Sequence, residues 1–499
     1  MKRKTAKEIL AETFLEMISM NYLFKTKYIF YSLILLPIFA IPTSCNNDKS
    51  KKSSIKSEPT TFISSQNNSQ KLDDITITIA LSQVDKQLMK QIEEFNSSKS
   101  GYHVDVKNYY VDTETDNANG MSMADFDLIQ DVVNTDKIDI VYNGSIHSSG
   151  TYEMLKNKGA FVDLYKFMGN DTEVNSSTID EHILKLNETE GALYTFPTYY
   201  VVHTLIGEEK YVGSKENWNV DEFISHWEQM PDNSTINGSP YAENVYRAIL
   251  SRNIETFLDY YNSKVNFTSP DFRRILEFCN RFPSNNNEKY ATDYSAPRFV
   301  SPHELNGIMS AAIFDENYEN VYHEKSKFTL VGYPSSNGCG SRCADSGMRF
   351  SICSNSSEEK RNAAWQFIRQ FYTYDYQKEH AVKFLNESVG ASSGFESESG
   401  FCVNKKAFEE TAQDIISGKY TKNMVSDDES DKLIVPTQND YDQLCIYLQS
   451  INKYETIADQ QLRDIVDEEV MTFLAGDQDL NTTIDIIQNR ATIWISEKK

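Results

Sequence analysis

Histidine and cysteine are scarce in this chain, and their scarcity narrows its chemistry. The 8 histidines of 499 residues are scattered, with no His-Glu-x-x-His pair and no His-rich cluster, so a zinc hydrolase lacks its ligands. The 7 cysteines, at positions 45, 279, 339, 343, 353, 402 and 445, are too few to staple a fold of this length, so the core must hold itself. Cys339 and Cys343 flank a Gly-Ser-Arg turn; free thiols, a loop disulfide and a metal half-site all fit that spacing, although no second ligand pair is visible nearby. No Gly-x-Ser-x-Gly elbow occurs. Ser357-x-x-Lys360 lacks the Ser-Asp-Asn and Lys-Thr-Gly partners of a penicillin-binding site and reads as helix-cap chemistry, and Gly338-x-Gly340 sits in a cysteine-bearing loop rather than a nucleotide-binding turn. No period of 20 to 50 residues recurs, which excludes solenoids and propellers. Basic residues are also in short supply, 49 against 73 acidic. The formal charge of -24 repels phosphate backbones, so nucleic acid is excluded as a partner.

What is present suffices for a large folded body. With 39% hydrophobic and 12% aromatic residues the chain has material for a core, and its length predicts two lobes. Residues 1–19 read as a charged, helix-prone extension from an upstream start, with Met17 or Met20 as the expected first residue. Lys25 and Lys27 then precede an apolar stretch from Tyr28 to Ile41, the basic and apolar regions of an export signal over 20–44. At roughly 14 residues this stretch falls short of the ~20 that a spanning helix needs. From Asn46 to about Leu72 the chain is Ser, Asn, Lys and Thr with almost no apolar residues, so 45–72 is expected to be a disordered tether reaching ~30 Å.

The body, 73–499, opens with Ile75, Ile77 and Ile79 alternating with threonines, and continues with Leu88, Met89, Ile92 and Phe95 at helical spacing. Val104 and Val106 begin a second strand and Asp139-Ile140-Val141-Tyr142 another, the β-α-β alternation of a mostly parallel sheet. Ligands in such sheets sit beyond the carboxyl ends of the strands, where Ser82, Gln83, Tyr142 and Asn143 fall. Glu190-Gly191 reads as a turn, Asn219-x-x-Glu222 and Ser356-x-x-Glu359 as helix caps. The C-terminus reads as two helices split near Gly476, with Ile484, Ile487, Ala491 and Trp494 on one face.

Six short segments in order carry a family resemblance. They are Asp139-Ile140-Val141 with Gly159 to Leu164; Gly191-Ala192-Leu193-Tyr194-Thr195-Phe196-Pro197; Val331-Gly332-Tyr333-Pro334; Ala363 to Ile368; Glu468 to Gly476; and Ile486-Ile487-Gln488-Asn489-Arg490. From Ile75 to the C-terminus the chain resembles the family 1 extracellular solute-binding proteins, the sugar-binding lipoproteins of bacterial ABC importers. Pro42-Thr43-Ser44-Cys45 similarly resembles a lipobox, although Pro42 stands where leucine is usual. The resemblance implies a lipidated Cys45, a type II periplasmic-binding-protein-like fold, and two α/β lobes joined by hinge crossings near Thr198 to His203 and before Gly307. It further implies a solute, expected to be a mono- or oligosaccharide, held in the cleft between the lobes. A monomer on the extracytoplasmic face of the cell membrane, bound to it through lipid alone and delivering to ABC permease subunits, completes the expectation. Lobe 1 is expected over about 73–198 plus 305–335, lobe 2 over about 204–300 plus 345–450, followed by C-terminal helices over 455–497.

A sugar site wants flat aromatics beneath the ring and amides, carboxylates or arginine around its hydroxyls. Tyr142, Tyr199, Tyr200, Phe314, Asp315 and Arg349 lie where cleft residues of the family are expected, with Trp218 and Tyr241 behind them. Tyr199 and Tyr200 stand out because of the crossing, and their joint replacement by alanine is expected to weaken binding and leave the melting temperature nearly unchanged. A glycan-capturing adhesin without a permease and a cleft glycoside hydrolase are the alternatives; an acid and base pair cannot be picked out by spacing in so acidic a chain.

Overall fold

Alternation of isoleucine with threonine over Ile75–Leu81 folds as strand β1, with Ile77 and Ile79 buried on one face and Ala80 on the other. In the computed structural model the described residues are 75–81, 85–98, 100–109, 123–142, 149–250, 253–259, 262–284, 296–315, 318, 325–335, 340–386, 400–420, 435–455 and 460–496. The expected extension, export signal, Cys45 and tether lie outside them. Among the described residues no helix is long and apolar enough to cross a membrane.

β1 pairs in parallel with β2 (Tyr102–Asn108) and β3 (Ile140–Tyr142), and the helices α1 (Lys86–Ser97) and α2 (Met123–Val133) lie between successive strands. After α3 (Ser149–Asn157), Glu190 and Gly191 both take positive φ between the reciprocal hydrogen bonds of Thr189 and Ala192, the tight turn their sequence predicts. The chain then enters β4 (Tyr199–Glu208), the longest strand. Beyond it come α4 (Val220–Trp227), opened by the expected Asn219–Glu222 capping box, then α5 (Ala242–Ile249), the short hairpin of β5 (Leu258–Asp259) and β6 (Lys264–Val265), and α6 (Pro270–Cys279). β7 (Ser301–Leu305), β8 (Phe328–Leu330) and β9 (Arg342–Asp345) all pair antiparallel with β4. β10 (Phe350–Ile352) closes the first sheet, giving the order β10-β3-β1-β2. α7 (Glu358–Ile368), α8 (Tyr374–Asn386), β11 (Phe401–Cys402, on β4), α9 (Lys405–Ile416), α10 (Gln438–Ser450), α11 (Gln460–Leu474) and α12 (Leu480–Ser496) follow.

Two large hydrophobic cores define two lobes, and the chain passes between them repeatedly. Val202 belongs to the first core and Leu205 to the second; Val300 returns to Leu305; Leu330 passes to Val331 and Tyr333; Cys343 is again in the first; and Ile451 passes to Leu462. These five passages make the two-lobed α/β fold, with β4 as its longest bridge. The expected boundaries need correction at the C-terminal end. The described residues of 345–450 belong to the first lobe, because β10 pairs antiparallel with β3 and carries α7 against the first sheet, where Phe367 meets Phe95 at 5.2 Å and Phe371 stacks on Phe350 at 5.0 Å. The second lobe is completed by α11 and α12, which bury Leu462, Val466, Ile484, Ile487 and Trp494 in its core.

Buried polar groups fix these elements. Ser357, rather than Ser356, caps α7 by accepting the Lys360 N–H, while Ser356 Oγ donates to the fully buried Asp139 at 2.6 Å; Thr78 N and Lys360 Nζ complete that carboxylate's shell. Asp171 accepts from Arg369, from Trp365 Nε1 at 2.9 Å and from the Glu173 and Val174 amides. Burial alone would raise its pKa, but these donors outweigh it and hold the group at about 2. Asp131 likewise sits at about 2, burial being overcome by Lys107, Lys137 and the Tyr109 hydroxyl. Both folded values lie below the ~3.9 of an unfolded aspartate, so each group's stabilisation is present above pH ~4 and is lost as pH falls towards 2. We expect about 2 kcal/mol from each; denaturant unfolding from pH 5 to pH 2 should show the fall, and Asp171→Asn should shrink it. An equally steep fall in Asp171→Asn would place its source elsewhere.

Candidate ligand-binding site

The parallel strands β1, β2 and β3 end on one edge of the first sheet, and β10 enters antiparallel from that same edge. The register pairs Phe350 with Tyr142, so Arg349, one residue earlier, stands at the carboxyl edge beside the end of β3. Open α/β sheets bind solutes beyond this edge. Arg349 also adjoins the passage between lobes, because it forms a bridge with Pro197 and the Thr198 amide donates to the Met348 carbonyl at 2.9 Å. The two segments run so close that a Cβ on Gly347 would come within 2.2 Å of Thr198 Oγ1.

The Arg349 guanidinium is nearly buried and held from several sides. Nε donates to Asp345 Oδ1 at 2.6 Å, Nη2 donates to Asn187 Oδ1, and the Tyr454 ring lies 4.8 Å away. The Tyr454 hydroxyl donates to the same Asp345 oxygen at 2.7 Å. Tyr454 is also a hydrogen-bond partner of the guanidinium, and a tenth of the side chain stays exposed. Burial works against the Arg349 charge, but Asp345 and Tyr454 outweigh it and keep the group protonated. Near this anchor are the half-buried aromatics Tyr454 and Tyr152, the latter stacked on Phe161 at 5.3 Å and within electrostatic reach of Arg349. Burial pushes the Tyr152 and Tyr454 hydroxyls well above their ordinary range, so both remain protonated at neutral pH. Tyr142, also half-buried, rests 5.6 Å from Phe350 and donates to Asp85 Oδ2 at 2.8 Å, while Asp85 Oδ1 caps α1 through the Leu88 N–H. The arrangement offers aromatic faces, neutral hydroxyls and a rigid guanidinium, which suits a solute with apolar C–H faces and a hydroxyl rim.

Of the residues expected in the cleft, Tyr142 and Arg349 come together at this edge. Ser82, Gln83 and Asn143 lie outside the described residues, directly after β1 and β3. Six others need correction. Tyr199 is fully buried with Cys402 and Ala407, its hydroxyl donating to the Gln377 carbonyl at 3.0 Å. Tyr200 is buried in the first core against Phe401 at 5.3 Å. Both faces of β4 are covered here, so its aromatics pack rather than line a cleft. Trp218 is likewise core, stacked on His226 at 4.2 Å and on Phe299 at 5.7 Å in the second lobe. Tyr241 is buried at the start of α5. Phe314 and Asp315 are half-exposed at the end of a 3₁₀ turn, Phe314 being 6.3 Å from Tyr447 near the β4 passage rather than beside Arg349. Asp85, Asn187, Asp345, Tyr152 and Tyr454 were not singled out in the sequence. Only Asp345, four residues before Arg349, carried a local signal.

No family model matches the chain, and no curated protein matches it. Among solved structures it is similar to the sugar-binding protein MalE from the phytopathogen Xanthomonas citri, at 11% identity over 85% of this chain and 98% of that one, with a TM-score of 0.49. It is similar to an extracellular solute-binding protein family 1 structure from Alicyclobacillus acidocaldarius, at 12% identity over 85% and 100% of the two chains and a TM-score of 0.48. A third is the cyclic alpha-maltosyl-1,6-maltose binding protein from Arthrobacter globiformis, at 12% identity over 85% and 99% and a TM-score of 0.45.

Proposed function

We propose that this chain is an extracellular solute-binding lipoprotein that takes a mono- or oligosaccharide between its lobes and delivers it to an ABC permease. The observation that carries the reading is the placement of Arg349 and its aromatic surround at the carboxyl edge of the first sheet, one residue from a segment that passes between the lobes. Closure of two bodies joined by such passages needs only small backbone changes at their ends. The site binds and releases, with no bond made or broken.

Anchoring through a diacylated Cys45 on the outer face of the cell membrane belongs to the same proposal. It is supported by the Pro42-Thr43-Ser44-Cys45 run behind a basic and apolar leader and by the polar segment after it. Two acyl chains suffice for stable anchoring where one is marginal.

A thermal-shift screen of mono- and oligosaccharides tests the ligand class. At a hundredfold excess over its dissociation constant a bound sugar should add about 2.7 kcal/mol of apparent stability. A panel in which no sugar moves the transition, while a non-sugar solute does, would redirect the reading to that solute. Mass analysis of the membrane-extracted protein should find a lipidated N-terminal Cys45, and an unmodified N-terminus there would remove the anchor.

A further inference from the structure

Two cations stand near the Tyr152 ring at the carboxyl edge, and each is closed by a carboxylate. Lys156 Nζ lies 6.0 Å from the ring centroid, 2.6 Å from Glu153 Oε2 and 3.4 Å from Thr189 Oγ1. Arg349 gives Nε to Asp345 Oδ1 at 2.6 Å and Nη2 to Asn187. None of the four charged side chains is more than a quarter exposed, so salt screens these pairs far less than it would at the surface. The Tyr152 hydroxyl, hydrogen-bonded to Ser351, feels the positive charge of Arg349 and the negative charges of both Glu153 and Asp345.

What this pairing removes from the edge is net positive charge, not donors. A guanidinium carries five N–H groups, and these can meet the hydroxyl oxygens of an uncharged sugar whether or not a carboxylate lies beside them. A solute carboxylate brought to Arg349 also comes within reach of Asp345, which repels it. Displacing Asp345 from the guanidinium would leave a mostly buried carboxylate without its cation, a costly exchange. A hydroxymethyl group meets neither penalty.

We infer that Asp345 sets the charge class of the solute: by closing the Arg349 guanidinium it makes this edge a site for uncharged sugars that refuses their uronic acids. Asp345 acts through Arg349 and is a positioning residue; Glu153 does the same for Lys156. The inference deepens, and rests on, the reading of this edge as a sugar site, which by itself allows neutral and acidic sugars alike. The whole-chain charge of -24 also disfavours anions at long range, but replacing Asp345 changes it by a single charge, so a large effect of that replacement is local.

Titration calorimetry at neutral pH compares sugars that differ only in a hydroxymethyl or a carboxylate: glucose with glucuronate, galactose with galacturonate, cellobiose with cellobiouronate. The wild type should favour the neutral member by roughly tenfold or more. Asp345→Asn keeps an oxygen for Arg349 Nε and leaves the guanidinium charge unmatched, so it should shift the preference towards the acid by roughly tenfold or more. Asp345→Glu should restore the wild-type preference. A merely structural role for Asp345 would weaken both members alike and leave their ratio unmoved. Glu153→Gln, which unmatches Lys156, should shift the ratio in the same direction and decides the matter should Asp345→Asn fail to fold. A wild type that takes both members equally, or a folded Asp345→Asn whose ratio is unchanged, overturns the inference and leaves the sugar reading in place. A panel from which neither class binds removes the sugar reading, and this inference with it.

Discussion

Joint replacement of Tyr199 and Tyr200 by alanine should lower the melting temperature by on the order of 10–20 °C or abolish cooperative unfolding altogether. The two rings project from β4 into separate cores, Tyr199 against Cys402 and Ala407, Tyr200 against Phe401. Truncating a buried aromatic costs about 3–5 kcal/mol, and rings in separate clusters should come close to additive. The sum rivals the ~5–15 kcal/mol that holds a typical domain folded. Tyr199→Phe removes only the hydroxyl that donates to the Gln377 carbonyl and should cost about 1 kcal/mol. A double-alanine protein that melts within a degree or two of the wild type would return both rings to the cleft.

Arg349→Ala should weaken solute binding by roughly 30- to 1000-fold, the range of an anchor residue at a desolvated site. Arg349→Lys keeps a positive charge beside Asp345 but loses the planar fork that reaches Asp345 and Asn187 together, so it should recover little of the affinity. Alanine also leaves Asp345, among the described residues, with the Tyr454 hydroxyl as its side-chain donor, so a modest loss of stability accompanies the change; lysine separates that loss from the binding defect. Titration calorimetry on the sugar found in the screen reads both variants. An unchanged dissociation constant in Arg349→Ala would move the site elsewhere.

Local patterns in the sequence carried much of the fold. The isoleucine alternation of β1, the stripe of α1, the Glu190-Gly191 turn and the Asn219–Glu222 cap each depend on residues close in the chain, and each forms where its pattern lies. Lobe membership was not legible in this way. The pairing of β10 with β3 joins residues about 210 apart, and together with the packing of the helices that follow it puts the described residues of 345–450 in the first lobe. The site divides on the same line. Tyr142 could be placed because it ends a recognisable strand, and Arg349 because the family resemblance sets a cleft residue there. Tyr454, Asn187 and Tyr152 reach Arg349 from three distant segments that carry no shared motif. Tyr199 and Tyr200 misled because a strand bridging two lobes is covered on both faces, so aromatic character there reports packing.

The central claim is mechanical, that two halves draw together around a guest. Small-angle scattering of the folded domain, with and without the sugar that stabilises it most, measures this directly. We predict a smaller radius of gyration in the sugar-bound protein; superimposable curves at saturating sugar would contradict the account.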